Sequence, residues 1–257
     1  MQINKIKKLK NGKYKLEIDH NKTVTTYDNV ILENNLLFDK RVDNEILNKI
    51  DKDTEYYDIY NKVVKMVSRK LRCEKEIRDY LEKNGLSKKD INEMIIKFKE
   101  NKIIDDLAFT KAYIHDRVSF SNDGILKIRE NLEKYNIDSL IIERELEQID
   151  KEVFQEKIQK YVSKKIKNNH KYSNAILKNK LIFELKANGY DNFNIDAFFD
   201  SKNNEDILAK EIIKVHNKLI KKYSGKDLTL KMYKLLYQKG FSREEIQKNL
   251  ENLNIFE

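Results

Sequence analysis

At 257 residues, with no proline, six glycines and 37 per cent charged residues, the chain has length for a large folded core and no stretch that reads as a linker or low-complexity tail. No apolar run approaches the roughly 20 residues that cross a bilayer, lysines interrupt every hydrophobic stretch of Met1 to Lys10 and argue against a signal sequence, and the lone Cys73 excludes an internal disulfide and fits a reducing cytoplasm. The net charge of +9 is uneven: residues 1–150 carry 30 Lys and Arg against 29 Asp and Glu, a net of +1, and residues 151–257 carry 22 against 14, a net of +8. Gln2 to Lys10, Tyr14 to Asp19 and Lys22 to Tyr27 alternate apolar and polar residues, with Asn11-Gly12 as a strong hairpin signal between the first two, so a three-stranded antiparallel meander is predicted. From Asp28 the apolar period lengthens through Val30, Ile31, Leu36, Leu37, Val42, Ile46 and Ile50, predicting short helices.

Beyond this leader of about 50 residues the sequence repeats. The leucines Leu81, Leu132, Leu185 and Leu236 are 51, 53 and 51 positions apart, and Gly85, Asn136, Gly189 and Gly240 keep the same step. Such a period predicts a stacked array. A helix that stops and reverses needs a left-handed residue, which glycine supplies freely and asparagine tolerates; the apolar Leu86, Ile137, Tyr190 and Phe241 then follow to pack back on that helix. Three helices are predicted in each unit. The first carries Tyr56, Tyr60, Val63, Val67 and Leu71 in one unit and Leu208, Ile212, Val215 and Leu219 in another, the second ends at the glycine or asparagine, and the third follows, as in Asp90 to Glu100 or Arg243 to Leu253. Ser87, Ser242 and the pair Asp105-Asp106 are placed as N-terminal caps. The expected organisation is a leader over 1–52 and repeats over 53–103, 104–150, 151–204 and 205–257: a mainly α, elongated and curved array of four tandem three-helix repeats behind a small β leader.

The chemistry-bearing residues point away from catalysis. His20, His115, His170 and His216 are scattered, none at ligand spacing with another His, Cys or carboxylate pair. Asp105-Asp106 reads as a cap before a metal site, Cys73 has no partner cysteine or histidine nearby, and no Walker loop, nucleophile elbow or dinucleotide fingerprint is present. Tyr60, Phe109, Tyr113, Phe154 and Tyr161 fall at packing positions more readily than on base-stacking platforms. No catalytic residue, metal or cofactor is expected. The positive signal is two lysine rows, Lys157, Lys160, Lys164 and Lys167 in one first helix and Lys210, Lys214, Lys218 and Lys221 in another, each spaced to face away from its helix's apolar side. Together they suit a phosphate backbone or an acidic protein groove, although heavy use of Lys, Asn and Ile also suits an AT-rich genome and a merely solvated face.

The segment Arg72-Cys73-Glu74-Lys75-Glu76-Ile77-Arg78 with Leu81 and Gly85, and Ile104-Asp105-Asp106-Leu107-Ala108-Phe109 with Tyr113, resemble the RecX recombination regulators. Gly124 with Ile128, Arg129 and Leu132, then Leu236 with Lys239-Gly240-Phe241-Ser242, continue the likeness through all the repeats. The family pattern has a serine where Cys73 stands, a proline at Ile125 and Lys-Gly at Tyr135-Asn136. The resemblance implies a non-catalytic protein that binds in the groove of the RecA filament on single-stranded DNA and restrains ATP hydrolysis, strand exchange and filament growth; a cytoplasmic monomer is expected beside it, meeting single-stranded DNA, with duplex DNA as a second option, through the backbone. Two other classes stay open: a helical-repeat protein that binds DNA directly, and a scaffold for a different partner. A helix-turn-helix reader would need basic third helices. Here residues 138–150 hold one Arg against Asp138, Glu143, Glu145, Glu147 and Asp150, and residues 191–200 hold three Asp and no base.

Overall fold

Asn11-Gly12 is where the chain first turns. The computed structural model describes residues 1–19 and 21–253, with the backbone alone at 201–203. Strands β1 (Ile3–Lys8), β2 (Tyr14–Ile18) and β3 (Lys22–Thr26) form an antiparallel sheet in that order, with Leu16 opposite Ile6 and Val24. Gly12 adopts φ +84°, and the amide of Leu9 donates to the Lys13 carbonyl at 2.8 Å. Ile3, Leu16 and Ile18 of the sheet close a core with Val30 and Ile31 of α1 (Asp28–Glu33) and with Leu47, Ile50 and Tyr57 of α2 (Asn44–Val67).

One helix serves two cores. The first half of α2 covers the sheet, while Val63, near its other end, packs with Ile77 and Leu81 of α3 (Glu74–Lys83) and with Ile91, Met94, Ile95 and Phe98 of α4 (Lys88–Glu100). The helix therefore runs unbroken through residues 52 and 53, where the leader was expected to give way to the first repeat. It also stops sooner than its apolar spacing suggests: Ser68 is the C-cap, and Leu71, expected on the buried face, lies beyond the helix and is exposed. The chain turns there so that Cys73 can open α3 as its N-cap, and its amide donates to the Glu76 carboxylate at 3.4 Å.

Two compact units, Met1–Phe109 and Thr110–Glu257, divide the chain. The second contains most of α5 (Asp106–Phe120), then α6 (Ile125–Lys134), α7 (Ser139–Glu147), α8 (Lys151–Lys167), α9 (Asn174–Ala187), α10 (Ser201–Leu219), α11 (Gly225–Tyr237) and α12 (Arg243–Asn252). Leu208, Ile212, Val215 and Leu219 of α10 share a core with Leu228, Met232 and Leu236 of α11 and with Ile246 and Leu250 of α12; Ile158 and Val162 of α8 pack with Leu177, Leu181 and Leu185 of α9. The third helix predicted over 191–200 is reduced to a single 3-10 turn, Asp196–Phe198. Asn192 sits at φ +48° and the Asn194 side chain accepts the Asp196 amide at 2.8 Å, so local side-chain bonds replace helical ones.

The same turn ends α3, α6, α9 and α11. Gly85, Gly189 and Gly240 have φ of +81°, +79° and +87°, and Asn136 takes +55°. In every case the next residue donates its amide back to the anchor leucine: Leu86 to Leu81 at 3.3 Å, Ile137 to Leu132 at 3.3 Å, Tyr190 to Leu185 at 3.1 Å and Phe241 to Leu236 at 3.4 Å. That bond, with the flanking one from Gly or Asn three residues back, satisfies carbonyls the helix end leaves over. The anchor leucines are also buried, so the residue whose carbonyl receives the turn fills the core with its side chain.

In the second unit the turns that end α9 and α11 also receive the start of the equivalent helix one repeat earlier in the chain. The Gly124 amide, opening α6, donates to the Asn188 carbonyl at 2.6 Å, and the Leu126 amide to Gly189 at 3.1 Å. One repeat later the Ser173 amide, opening α9, donates to the Lys239 carbonyl at 3.0 Å beside Gly240. Helix N-termini, rich in free N–H groups, thus sit on helix C-termini, rich in free C=O groups.

Candidate functional site

The lysine row of α10 has the predicted aspect over most of its length. Lys210, Lys214 and Lys218 are exposed, opposite the buried Leu208, Ile212, Val215 and Leu219. Lys214 lies 3.6 Å from the buried Glu211, which also pairs with Lys239 of the Gly240 turn. Lys221 is exposed but stands past the end of α10, in the following turn, so it does not continue the helical row.

On α8 the row is broken at its first member. Lys160, Lys164 and Lys167 are exposed, and Lys160 makes an exposed ion pair with Glu156 at 3.2 Å. Lys157, expected to face away with them, is half-buried: its ammonium donates to the carbonyls of Val118 at 2.8 Å and Arg117 at 3.3 Å, in the last turn of α5. It stands on the edge of the row nearest the apolar face, and its long stem lets the charge reach a helix end that carries partial negative charge. Burial lowers its pKa from the usual 10.5, with nearby Asp123 acting in the opposite sense. Lys157 therefore caps α5. Asp123 is itself buried and bonds Lys127 at 2.9 Å and Arg117 at 3.6 Å.

The two rows meet at one groove, where Lys167 from α8 and Lys210 from α10 line the walls with Asn169, His170, Asp200 and Asp206. Basic and acidic groups both line it, so its field is mixed; further exposed lysines of the two rows are Lys164, Lys218 and Lys221.

The remaining candidates are structural where their partners are defined. Asp105 accepts the Ala108 amide at 2.9 Å and caps α5, as expected, but Asp106 does something the sequence does not announce: it accepts the Glu74 amide at 2.8 Å and so caps α3, 32 residues earlier. Cys73 is buried, and burial pushes its thiol up to about 11, which suppresses the thiolate. Tyr60 stacks on Phe98, with centroids 4.8 Å apart, Tyr113 meets Tyr135 edge-on, and Phe154 meets Tyr190 edge-on. Tyr161 donates to Glu184, which also holds Lys165 at 2.9 Å. His115 is exposed beside Asp116, His170 is in the groove above, and His20 lies outside the described residues. Among the described residues, no three His, Cys, Asp or Glu side chains gather as a metal site, and no helix is long and apolar enough to cross a membrane.

The architecture is that of a mostly helical repeat protein with a small N-terminal antiparallel sheet. It shares its fold with the crystal structure of a regulatory protein RecX, at a TM-score of 0.66 and 20% identity, over 74% of this chain and 94% of that one. The model of the RecX first three-helix domain matches residues 60–98, from the second half of α2 nearly to the end of α4. A regulatory protein RecX of Streptococcus pyogenes serotype M1 is 28% identical over 261 residues, spanning 98% of this chain and 99% of its own length; one from Oceanobacillus iheyensis is 27% identical over 226 residues, 85% and 83%. The chain is thus similar to RecX regulatory proteins along nearly its whole length, with the first three-helix domain of that family matched within it.

Proposed function

We propose that this protein is a non-catalytic regulator of the RecA recombinase, binding in the groove of the filament on single-stranded DNA and restraining ATP hydrolysis, strand exchange and filament growth. The observation that carries the reading is the likeness to RecX regulatory proteins along 98% of the chain, leader included. The repeated turns support it: each hydrogen-bonded glycine or asparagine turn fixes the spacing between a second and a third element, so a surface of one unit recurs in the next. The exposed lysines of α8 and α10 supply the charge that a filament of phosphates and acidic side chains attracts.

A chain bridging neighbouring filament subunits acts by differential binding: it holds one conformation and obstructs incoming duplex, so turnover and exchange fall together. The division into four repeats over 53–103, 104–150, 151–204 and 205–257 behind a leader over 1–52, cytoplasmic residence and a monomeric state all belong to this proposal. Direct binding of DNA without a recombinase is the second reading, favoured by the net of +8 over residues 151–257, where 22 basic residues face 14 acidic ones. Co-sedimentation separates the two. The first predicts recovery with recombinase filaments well above recovery with the same DNA alone; equal recovery from both selects the second.

A further inference from the structure

The helices α9 and α11 open on the same tripeptide, Lys171-Tyr172-Ser173 and Lys222-Tyr223-Ser224, 51 residues apart, and each is followed eight positions after its tyrosine by another lysine, Lys180 and Lys231. The structure closes each group the same way. The Lys180 ammonium lies 3.6 Å from the centroid of the Tyr172 ring, with Lys171 at 5.0 Å, and the Lys231 ammonium lies 5.6 Å from that of Tyr223. Lys171, Lys180, Lys222 and Lys231 are exposed, and Tyr223 is too. These rings are therefore outside the cores that hold Tyr60, Phe154 and Tyr190.

We propose that these two lysine–tyrosine groups are base-stacking platforms for a single strand of nucleic acid, with the lysines taking its phosphates. The spacing follows from the fold. The Ser173 amide bonds the Lys239 carbonyl, so Tyr172 stands beside the turn that ends α11, whereas Tyr223 stands where α11 begins. The 13 residues of that helix separate the two by about 20 Å at roughly 1.5 Å per residue. Between them, helical spacing sets the exposed Lys226, Leu230, Lys234 and Tyr237 on one face, a basic track with a third exposed ring.

Magnitudes favour the strand over the resting contacts. An exposed cation–π pair is a weak contact. A base stacked on an aromatic ring is the stronger one, and the displaced ammonium gains a phosphate. An acidic peptide would use the lysines but gain little from rings at this spacing. The inference rests on the proposed function for the presence of single-stranded DNA at the filament, and it differs from it in requiring bases, not only backbone charge.

The test uses the full-length protein without recombinase and measures fluorescence anisotropy of a labelled 20-nucleotide thymidine strand, a uridine strand and an abasic strand of equal length. The wild type is expected to bind both base-bearing strands at least tenfold more tightly than the abasic one. Tyr172→Ala with Tyr223→Ala should remove that preference while leaving the far-ultraviolet circular dichroism unchanged, and Tyr172→Phe with Tyr223→Phe should keep it, since phenylalanine stacks as well. Equal affinity for thymidine and abasic strands, unchanged preference in the alanine pair, loss in the phenylalanine pair, or preferred binding of an oligoglutamate competitor each overturns the proposal. Recombinase ATP turnover is titrated in parallel: if wild-type protein restrains it yet shows no base preference, the platform fails and the filament reading stands.

Discussion

Gly124 and Gly189 meet backbone to backbone: a Cβ placed on Gly124 would stand 2.5 Å from the Gly189 carbonyl oxygen, and one on Gly189 would fall closer still to the backbone of Lys127. Gly124 does not need glycine for its dihedral angles, since φ is −86°. It needs glycine because the N-terminus of α6 lies directly on the turn that ends α9, and a methyl group between them would part the 2.6 Å bond from the Gly124 amide to Asn188.

Alanine substitutions separate conformation from contact. Gly85 has φ +81° and open space around its missing side chain, so Gly85→Ala should cost only the left-handed penalty, about 1–2 kcal/mol. Gly124→Ala has no such penalty yet should destabilise by more, and Gly189→Ala, which combines both, by most. Urea unfolding of the three variants reads the order. Equal losses at Gly85 and Gly189 would contradict the packed turn.

The lysine rows predict a different split. Changing Lys160, Lys164 and Lys167 to Glu, or Lys210, Lys218 and Lys221 to Glu, should weaken filament binding, and wild-type binding should fall steeply with salt, with thermal stability changed little because these side chains are exposed; Lys214 is left in place because it faces the buried Glu211. Lys157→Glu should behave in reverse, losing stability first, since it sets a carboxylate against the Val118 and Arg117 carbonyls. Lys157→Met keeps the stem and should cost about 1–2 kcal/mol, the scale of a partly buried cation at a helix C-terminus. Unchanged filament affinity in both triple variants would mark the rows as solvated faces only.

Glu184 gives a pH dependence with a fixed sign. The hydrogen bond from Tyr161, followed by that from Lys165, holds its carboxyl below the ordinary glutamate value of 4.5. A group with a depressed folded pKa stabilises fully above its unfolded pKa and loses that contribution as pH falls through the folded one. Melting temperature should therefore drop on acidification below about 4.5, and Glu184→Gln should show a shallower drop in that window with lower stability near neutrality. An identical acid slope in the variant would show that the Tyr161–Glu184–Lys165 group does not couple to folding.

The features legible in the sequence are those a single residue type enforces. Gly85, Gly189, Gly240 and Asn136 could be read because a left-handed turn restricts its occupant, and Gly12 for the same reason; Ser87 and Ser242 could be read because their oxygens accept amides three residues on, at 3.2 and 3.1 Å. What depended on long side chains or distant chain could not. Spacing gives the angle of Lys157 on its helix but not the carbonyls 39 and 40 residues away that draw it inward. Asp106 looks like its neighbour Asp105 and caps another helix. The repeat suggests a third helix over 191–200, but the backbone turns left-handed at Asn192 and the Asn194 side chain takes the Asp196 amide, so only one 3-10 turn forms. Exposed Tyr223 escapes a reading that assigns aromatic residues to cores, because helical period alone does not tell which side of a helix end faces solvent.

Action on the recombinase is read by ATP hydrolysis of the cognate recombinase on single-stranded DNA, titrated with this protein from substoichiometric to stoichiometric ratios, with filament lengths imaged on the same samples. Turnover is expected to fall and filaments to shorten together, beginning below one protein per recombinase subunit, while the protein alone hydrolyses no ATP and cuts no DNA. Unaltered turnover and unaltered filament length, with equal binding to naked DNA, would contradict it.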